Sequence, residues 1–212
     1  YDFSQRLSSL DIDTQIVPLA KNLALPSDDE VNAGDISAQA AIIAKDDGSL
    51  LASKAATTKM YPASTTKVMT ALLALKYGNL SDEVTVPEES VINEAGASLA
   101  GIHPGDKLTL DELLYGLDNF VKMMNDEAKR IGAVDTNFVN ANGLSNDKHY
   151  TTAYDLYLIL HEAMKDSRFV NYAGAASYNV TYTAVDGSQV TKNWRNGNRY
   201  LTGQEIPPNG VK

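Results

Sequence analysis

The chain has 212 residues, 43% of them apolar, enough to bury a sizeable core as one medium-sized domain or one domain with an appendage. A formal net charge of −9 opposes sequence-independent nucleic-acid binding, and the absence of cysteine excludes disulfides and thiolate metal sites. No apolar stretch has the length needed to cross a bilayer, and Tyr1-Asp2-Phe3-Ser4 reads as a polar beginning without the basic region of a signal peptide.

Residues 1–35 read as an N-terminal extension, with scattered Leu and Ile and a polar break at Pro26-Ser27-Asp28-Asp29-Glu30. From residue 36 the pattern becomes regular. Ala38 to Ala44 is a strand candidate, Asp46-Asp47-Gly48-Ser49 a turn, and Leu50 to Ser53 the returning strand of a hairpin. A helix follows from Ser64 to Lys76-Tyr77, with Gly78 placed as its left-handed cap. Ser81 to Pro87 is a short strand. Gly96-Ala97-Ser98-Leu99-Ala100-Gly101 approaches the Gly-x-Ser-x-Gly nucleophile elbow, but no apolar strand precedes it and no helix follows, so it is set aside.

Thr109-Leu110-Asp111-Glu112 is a capping box opening a helix that Gly132 ends, with Leu110, Leu113, Leu114, Leu117, Val121, Met124, Ala128 and Ile131 at helical spacing. After an extended stretch around Thr136 to Val139, a further helix begins near Thr151 or Thr152, with Ala153, Leu156, Ile159, Leu160 and Ala163 on one face. The tail is a hairpin: Ser177 to Ala184, a turn at Asp186-Gly187, and Val190 to Trp194. Trp194 and the tyrosines read as core and cross-strand pairs. This order predicts an α+β fold in which helices pack on antiparallel sheet.

The chemistry concentrates at Tyr61-Pro62-Ala63-Ser64-Thr65-Thr66-Lys67. Ser64 stands where a loop becomes a helix, a place suited to a capping hydroxyl. Lys67 follows three residues later, so its amine shares a helix face with Ser64. A weak hydroxyl nucleophile beside an amine able to take its proton is an arrangement for nucleophilic catalysis, provided the amine is partly neutral. A second Ser-x-x-Lys, Ser145-Asn146-Asp147-Lys148, lies among Asn, Gly and Asp and reads as a loop. The three histidines have no metal-ligand spacing, so neither metal nor cofactor is expected, and His149 reads as structural at a helix start.

Several segments together resemble the serine-type D-alanyl-D-alanine carboxypeptidases, the low-molecular-mass penicillin-binding proteins. Ser64-Thr65-Thr66-Lys67 is similar to the family's first motif. Phe120-Val121-Lys122-Met123-Met124-Asn125, Asn142-Gly143-Leu144, His149-Tyr150-Thr151-Thr152-Ala153-Tyr154-Asp155 and Asn196-Gly197-Asn198-Arg199 match in order. The resemblance covers roughly residues 37–212. It implies a penicillin-binding protein or serine β-lactamase-like transpeptidase fold over 36–212. Ser64 would then attack the bond between the terminal D-alanines of a peptidoglycan stem peptide, Lys67 would take its proton, and β-lactam antibiotics would acylate the same serine. Lys212 would bind the substrate's terminal carboxylate, and the protein would work outside the cytoplasmic membrane.

Two departures from the family pattern stand out. Leu117 joins Asp118-Asn119-Phe120 directly, without the Ser-x-Asn motif that the family carries there. The third motif reaches only Lys212, without its Thr-Gly and the strand after it. The expected explanation of the junction is a segment that the native molecule has and this sequence lacks; the rival is a true deletion. Two other functions stay open: a serine β-lactamase or esterase on the same scaffold, and an inactive homologue that binds cell-wall peptides or partner proteins.

Overall fold

A computed structural model describes residues 37–45, 50–79, 81–88, 101–109 and 118–196. The extension at 1–35, the Asp46–Ser49 turn, the set-aside segment 96–100, the capping box at 109–112 beyond Thr109, the Leu117 side of the junction, and Lys212 lie outside them. The chain divides into two compact units, one holding 2–73 and 117–166 and the other 74–116 and 167–212.

In the first unit, β1 (Ala41–Ala44) and β2 (Leu50–Lys54) pair antiparallel as the sequence predicts, with a register shift between Ile43 and Ala44. A 3₁₀ turn, Ala63–Thr66, leads into α1 (Lys67–Tyr77), so the α-helix proper starts at the lysine of the motif. Helix α2 (Asp118–Ile131) ends as expected at Gly132, whose φ of +91° a side chain would oppose. Gly132 N–H donates to Lys129 O and Ala133 N–H to Ala128 O, the paired bonds of a Schellman cap.

Helix α3 (Ala153–Ala163) starts at Thr152, whose hydroxyl accepts from Asp155 N–H at 3.0 Å. Such a cap stabilises by ~1 kcal/mol. The buried face of α3 is Asp155, Leu158, Ile159 and Ala163, rotated from the predicted stripe so that Leu160 is exposed. The cause is polar: Asp155 turns inward to accept from Asp135 N–H at 2.8 Å and Thr136 Oγ1 at 2.7 Å. Arg130 joins α2 to α3 by donating to Glu127 of its own helix and to Glu162 of α3.

The second unit contains a four-stranded antiparallel sheet in the order β3 (Glu83–Thr85), β4 (Lys107–Thr109), β5 (Ser177–Thr183), β6 (Gln189–Arg195). Val86, Leu108, Val180 and Tyr182 form its buried cluster, with Trp194 packed against it. Trp194 pairs with Tyr178 in the β5–β6 register, the core and cross-strand role expected of it. Helix α4 (Ser167–Gly174) was not predicted from the sequence; it is short and buries Phe169. Both units together give the α+β architecture read from the sequence.

Candidate active site

Three segments converge beneath Ser64. Met60 exchanges backbone hydrogen bonds with Thr151 at 2.8 and 2.9 Å, and Asn137 exchanges them with Tyr150 at 2.8 and 3.1 Å. The stretch 149–151 therefore lies between the strand-like approach to the Ser64 turn and the approach to the loop 140–144. These two isolated bridges tie Met60 and Asn137 to the middle stretch, close to where each flanking loop begins.

The Ser64 turn carries a strained residue. Ala63 has φ +48°, a left-handed conformation that costs a side chain roughly 1–2 kcal/mol. Thr65 N–H and Thr65 Oγ1 both donate to Pro62 O, tightening the turn. The cap position falls to Pro62, which has no side-chain hydrogen-bonding group, so the expected capping role of Ser64 is not what the structure shows. The Ser64 hydroxyl instead accepts from Lys67 Nζ at 3.3 Å. Thr66, between them, points inward and is fully buried, whereas Ser64 and Lys67 are open to solvent.

Lys67 Nζ also donates to Asn142 O at 2.8 Å. Thr70 Oγ1, one turn along α1, donates to Ala141 O at 2.6 Å, so two successive carbonyls of the loop are held by the helix. Asn140 shapes the loop from inside: its Oδ1 accepts from Gly143 N–H at 2.7 Å and from Leu144 N–H at 3.1 Å. Gly143 sits at φ +87° directly against the Ser64 turn. A Cβ there would overlap the Ala63 carbonyl and come within 2.9 Å of Ser64 N. Only glycine fits.

The loop covers one side of the amine, which stays accessible to solvent on the other. Partial burial pushes the Lys67 pKa below the ordinary lysine value, because a charged ammonium loses solvation there. A neutral amine keeps two N–H donors and gains a lone pair. One donor can stay on Asn142 O while the lone pair accepts the Ser64 hydroxyl proton, which is the geometry a general base requires.

Of the site residues named from the sequence, Ser64 and Lys67 are brought together, and Lys212 lies outside the described residues. The second Ser-x-x-Lys is a loop as predicted, its Asn146 carbonyl accepting from His149 N–H at 2.9 Å. Sequence reasoning assigned no role to Asn140, Asn142, Gly143 or Thr66. The one available signal was Asn140 three residues before Gly143, a spacing that suits a side chain capping its own loop. Among the described residues no cluster of His, Asp or Glu could hold a metal ion, and no helix is long and apolar enough to cross a membrane.

Comparison with known proteins places this geometry. The chain is 32% identical over 160 residues to the D-alanyl-D-alanine carboxypeptidase DacF of Bacillus subtilis (strain 168), covering 64% of this chain and 41% of the relative. It is 28% identical over 186 residues to the D-alanyl-D-alanine carboxypeptidase of Streptomyces sp. (strain K15), covering 73% of this chain and 64% of that protein. The chain thus spans between two-fifths and two-thirds of the length of these relatives. Among solved structures, a variant of the Streptomyces K15 DD-transpeptidase superposes with a TM-score of 0.73 at 29% identity, covering 81% of this chain and 78% of that one. A penicillin-binding protein homologue from Mycobacterium tuberculosis, 24% identical, shares the fold with a TM-score of 0.68 over 92% of this chain and 76% of its own. The D-alanyl-D-alanine carboxypeptidase family matches residues 27–118 and 115–212, two pieces that meet where Leu117 joins Asp118 and the Ser-x-Asn motif is missing. With nearly the whole chain matched, it belongs to the D-alanyl-D-alanine carboxypeptidase family.

Proposed function

We propose that the protein is a serine carboxypeptidase that removes the terminal D-alanine from peptidoglycan stem peptides ending in D-Ala-D-Ala, working outside the cytoplasmic membrane, and that penicillins acylate it. The observation that carries this reading is the Ser64 Oγ to Lys67 Nζ contact, with Asn142 O holding the other side of the amine. Neutral Lys67 takes the Ser64 proton as Oγ forms a bond to the carbonyl carbon of the D-Ala-D-Ala peptide bond. The C–N bond then breaks, the proton passes to the departing amine, and D-alanine leaves an ester on Ser64. Water hydrolyses the ester and restores the hydroxyl. Lys212 is assigned to the substrate carboxylate on the family resemblance.

The division of the family match into two pieces that overlap at 115–118, where the Ser-x-Asn motif is missing, favours one second reading: a homologue that binds cell-wall peptides without turning them over. Release of D-alanine from a synthetic peptide ending in D-Ala-D-Ala separates the two. Turnover by the wild type and none by Ser64→Ala supports the carboxypeptidase. Peptide binding without D-alanine release supports the binding protein.

A further inference from the structure

The proposed acyl transfer needs Ser64 and Lys67 held in register with Asn142 O, yet the pair sits on the turn opening α1 and Asn142 on a separate loop. Besides the α1 side chains that reach the loop directly, one side chain from outside both segments touches each of them. His149 is 1% exposed; its Nε2 lies 2.8 Å from Thr66 Oγ1, and its Nδ1 accepts from Val139 N–H at 3.0 Å. Thr66 is the residue between Ser64 and Lys67 that faces inward, and Val139 immediately precedes Asn140, which folds the loop carrying Asn142 and Gly143. The Phe138 ring packs edge-on to the imidazole with centroids 5.8 Å apart, fixing its plane.

The bonds define the ring's state. A backbone N–H can only donate, so Nδ1 carries no proton and a neutral ring holds its hydrogen on Nε2. Thr66 Oγ1 is then the acceptor for that hydrogen. Burial, which disfavours the imidazolium, pushes the same way. Thr66 is fully buried and His149 nearly so, which keeps both groups from touching the reacting atoms.

We propose that His149, as the neutral Nε2–H tautomer, is a positioning residue that clamps the Ser64–Lys67 turn to the loop 138–144. The inference rests on the carboxypeptidase reading for its consequence but not for its geometry. A buried histidine that only fills space would stabilise the protein without affecting the amine. A clamp sets how closely Asn142 and Gly143 enclose Lys67 and Ser64. Losing it lets the loop withdraw, rehydrates the amine and misplaces the nucleophile.

The test compares Thr66→Val, His149→Phe, His149→Gln and the double variant Thr66→Val/His149→Phe, with melting temperature measured on each so that rates are taken where all are folded. The first readout needs no activity: the NMR titration of the Lys67 side chain. Its pKa is expected to rise toward that of free lysine in Thr66→Val and His149→Phe, and to return toward wild type in His149→Gln, whose amide reaches Thr66. The second readout is the rate of penicillin acylation at saturation. It should fall roughly 10- to 100-fold in both single variants with the half-saturating concentration unchanged. The double variant should be no slower than His149→Phe, since both changes break one linkage. An unmoved Lys67 titration, or losses that multiply in the double variant, overturns the clamp. A wild type that penicillin does not acylate overturns the carboxypeptidase reading instead, and the Lys67 titration still decides the clamp.

Discussion

Both compact units bury apolar side chains, but they differ in the polar ones they bury: the unit holding Ser64 also buries Met69, Leu73, Met124, Phe138 and Ile159. In the unit holding Ser64, the buried residues include Thr66, Thr70, Glu127, His149, Thr151, Thr152 and Asp155. In the sheet unit, the buried polar side chain among the described residues is Asp106, while Val86, Leu108, Val180 and Tyr182 form an apolar cluster. Asp106 serves as a joint, accepting from His103 N–H at 2.8 Å and Val185 N–H at 3.1 Å. Apolar burial is non-directional and tolerates small shifts, whereas a buried hydroxyl or imidazole is costly unless its partner stands in one place. Apolar burial supplies stability in both units, and the added polar burial under Ser64 specifies position. The difference predicts which variants break chemistry and which break folding.

The largest effect belongs to the amine itself. Lys67→Met should slow penicillin acylation by on the order of 10²–10⁴-fold with the melting temperature barely changed, because the proposed general base is lost from an exposed position. Leu108→Ala should do the opposite. Removing a side chain that is 2% exposed in the sheet cluster costs about 2–5 kcal/mol of stability, read by urea denaturation, while the folded fraction acylates at the wild-type rate.

A pair of glycines sharpens the contrast further. Gly143 and Gly187 have φ of +87° and +84°, but Gly143 abuts the Ala63 carbonyl and Gly187 faces open space. Gly143→Ala should therefore displace Ser64 and slow acylation by about 10²-fold, since misplacing a reacting group by an ångström has that effect. Gly187→Ala should cost only the left-handed strain, about 1 kcal/mol, and leave acylation unchanged.

The smallest effect is a pH dependence of stability. Burial lowers the His149 pKa in the folded protein below the 6.5 of the free side chain. Below pH 6.5 the unfolded chain binds a proton that the folded one refuses. The stability is thus fully present above that pH and is lost as pH falls toward the folded pKa. Urea midpoints at pH 7.5 and 5.5 should differ for the wild type, and by less for His149→Phe.

What the sequence revealed followed from locality. The β5–β6 hairpin, the helix start near Thr151 or Thr152 and the Gly132 stop each depend on residues a few positions apart, and all formed as read. The approach of Ser64 to Lys67 is likewise an i, i+3 relation. The remainder of the site is non-local or has no side-chain identity. Asn142 contributes a backbone carbonyl, which any residue could supply, and Gly143 matters for the Ala63 peptide it faces. Thr66 and His149 are 83 positions apart, and nothing in either segment's periodicity announces their bond. The inward turn of Asp155 displaced the predicted face of α3 because its hydrogen bonds to Asp135 and Thr136 outweigh the exposure of Leu160. Helix α4 escaped because Ser167–Gly174 is eight residues long, and its apolar Phe169, Val170 and Tyr172 span too short a stretch for a period to emerge.

The most direct test of the central claim, that the loop-held Ser64–Lys67 pair performs acyl transfer, is the intact mass of the wild type after incubation with penicillin, followed by peptide mapping. The account predicts one covalent adduct, on Ser64, forming faster as pH rises along a limb that lies below the 10.5 of free lysine. No adduct, or an adduct on another residue, would contradict it.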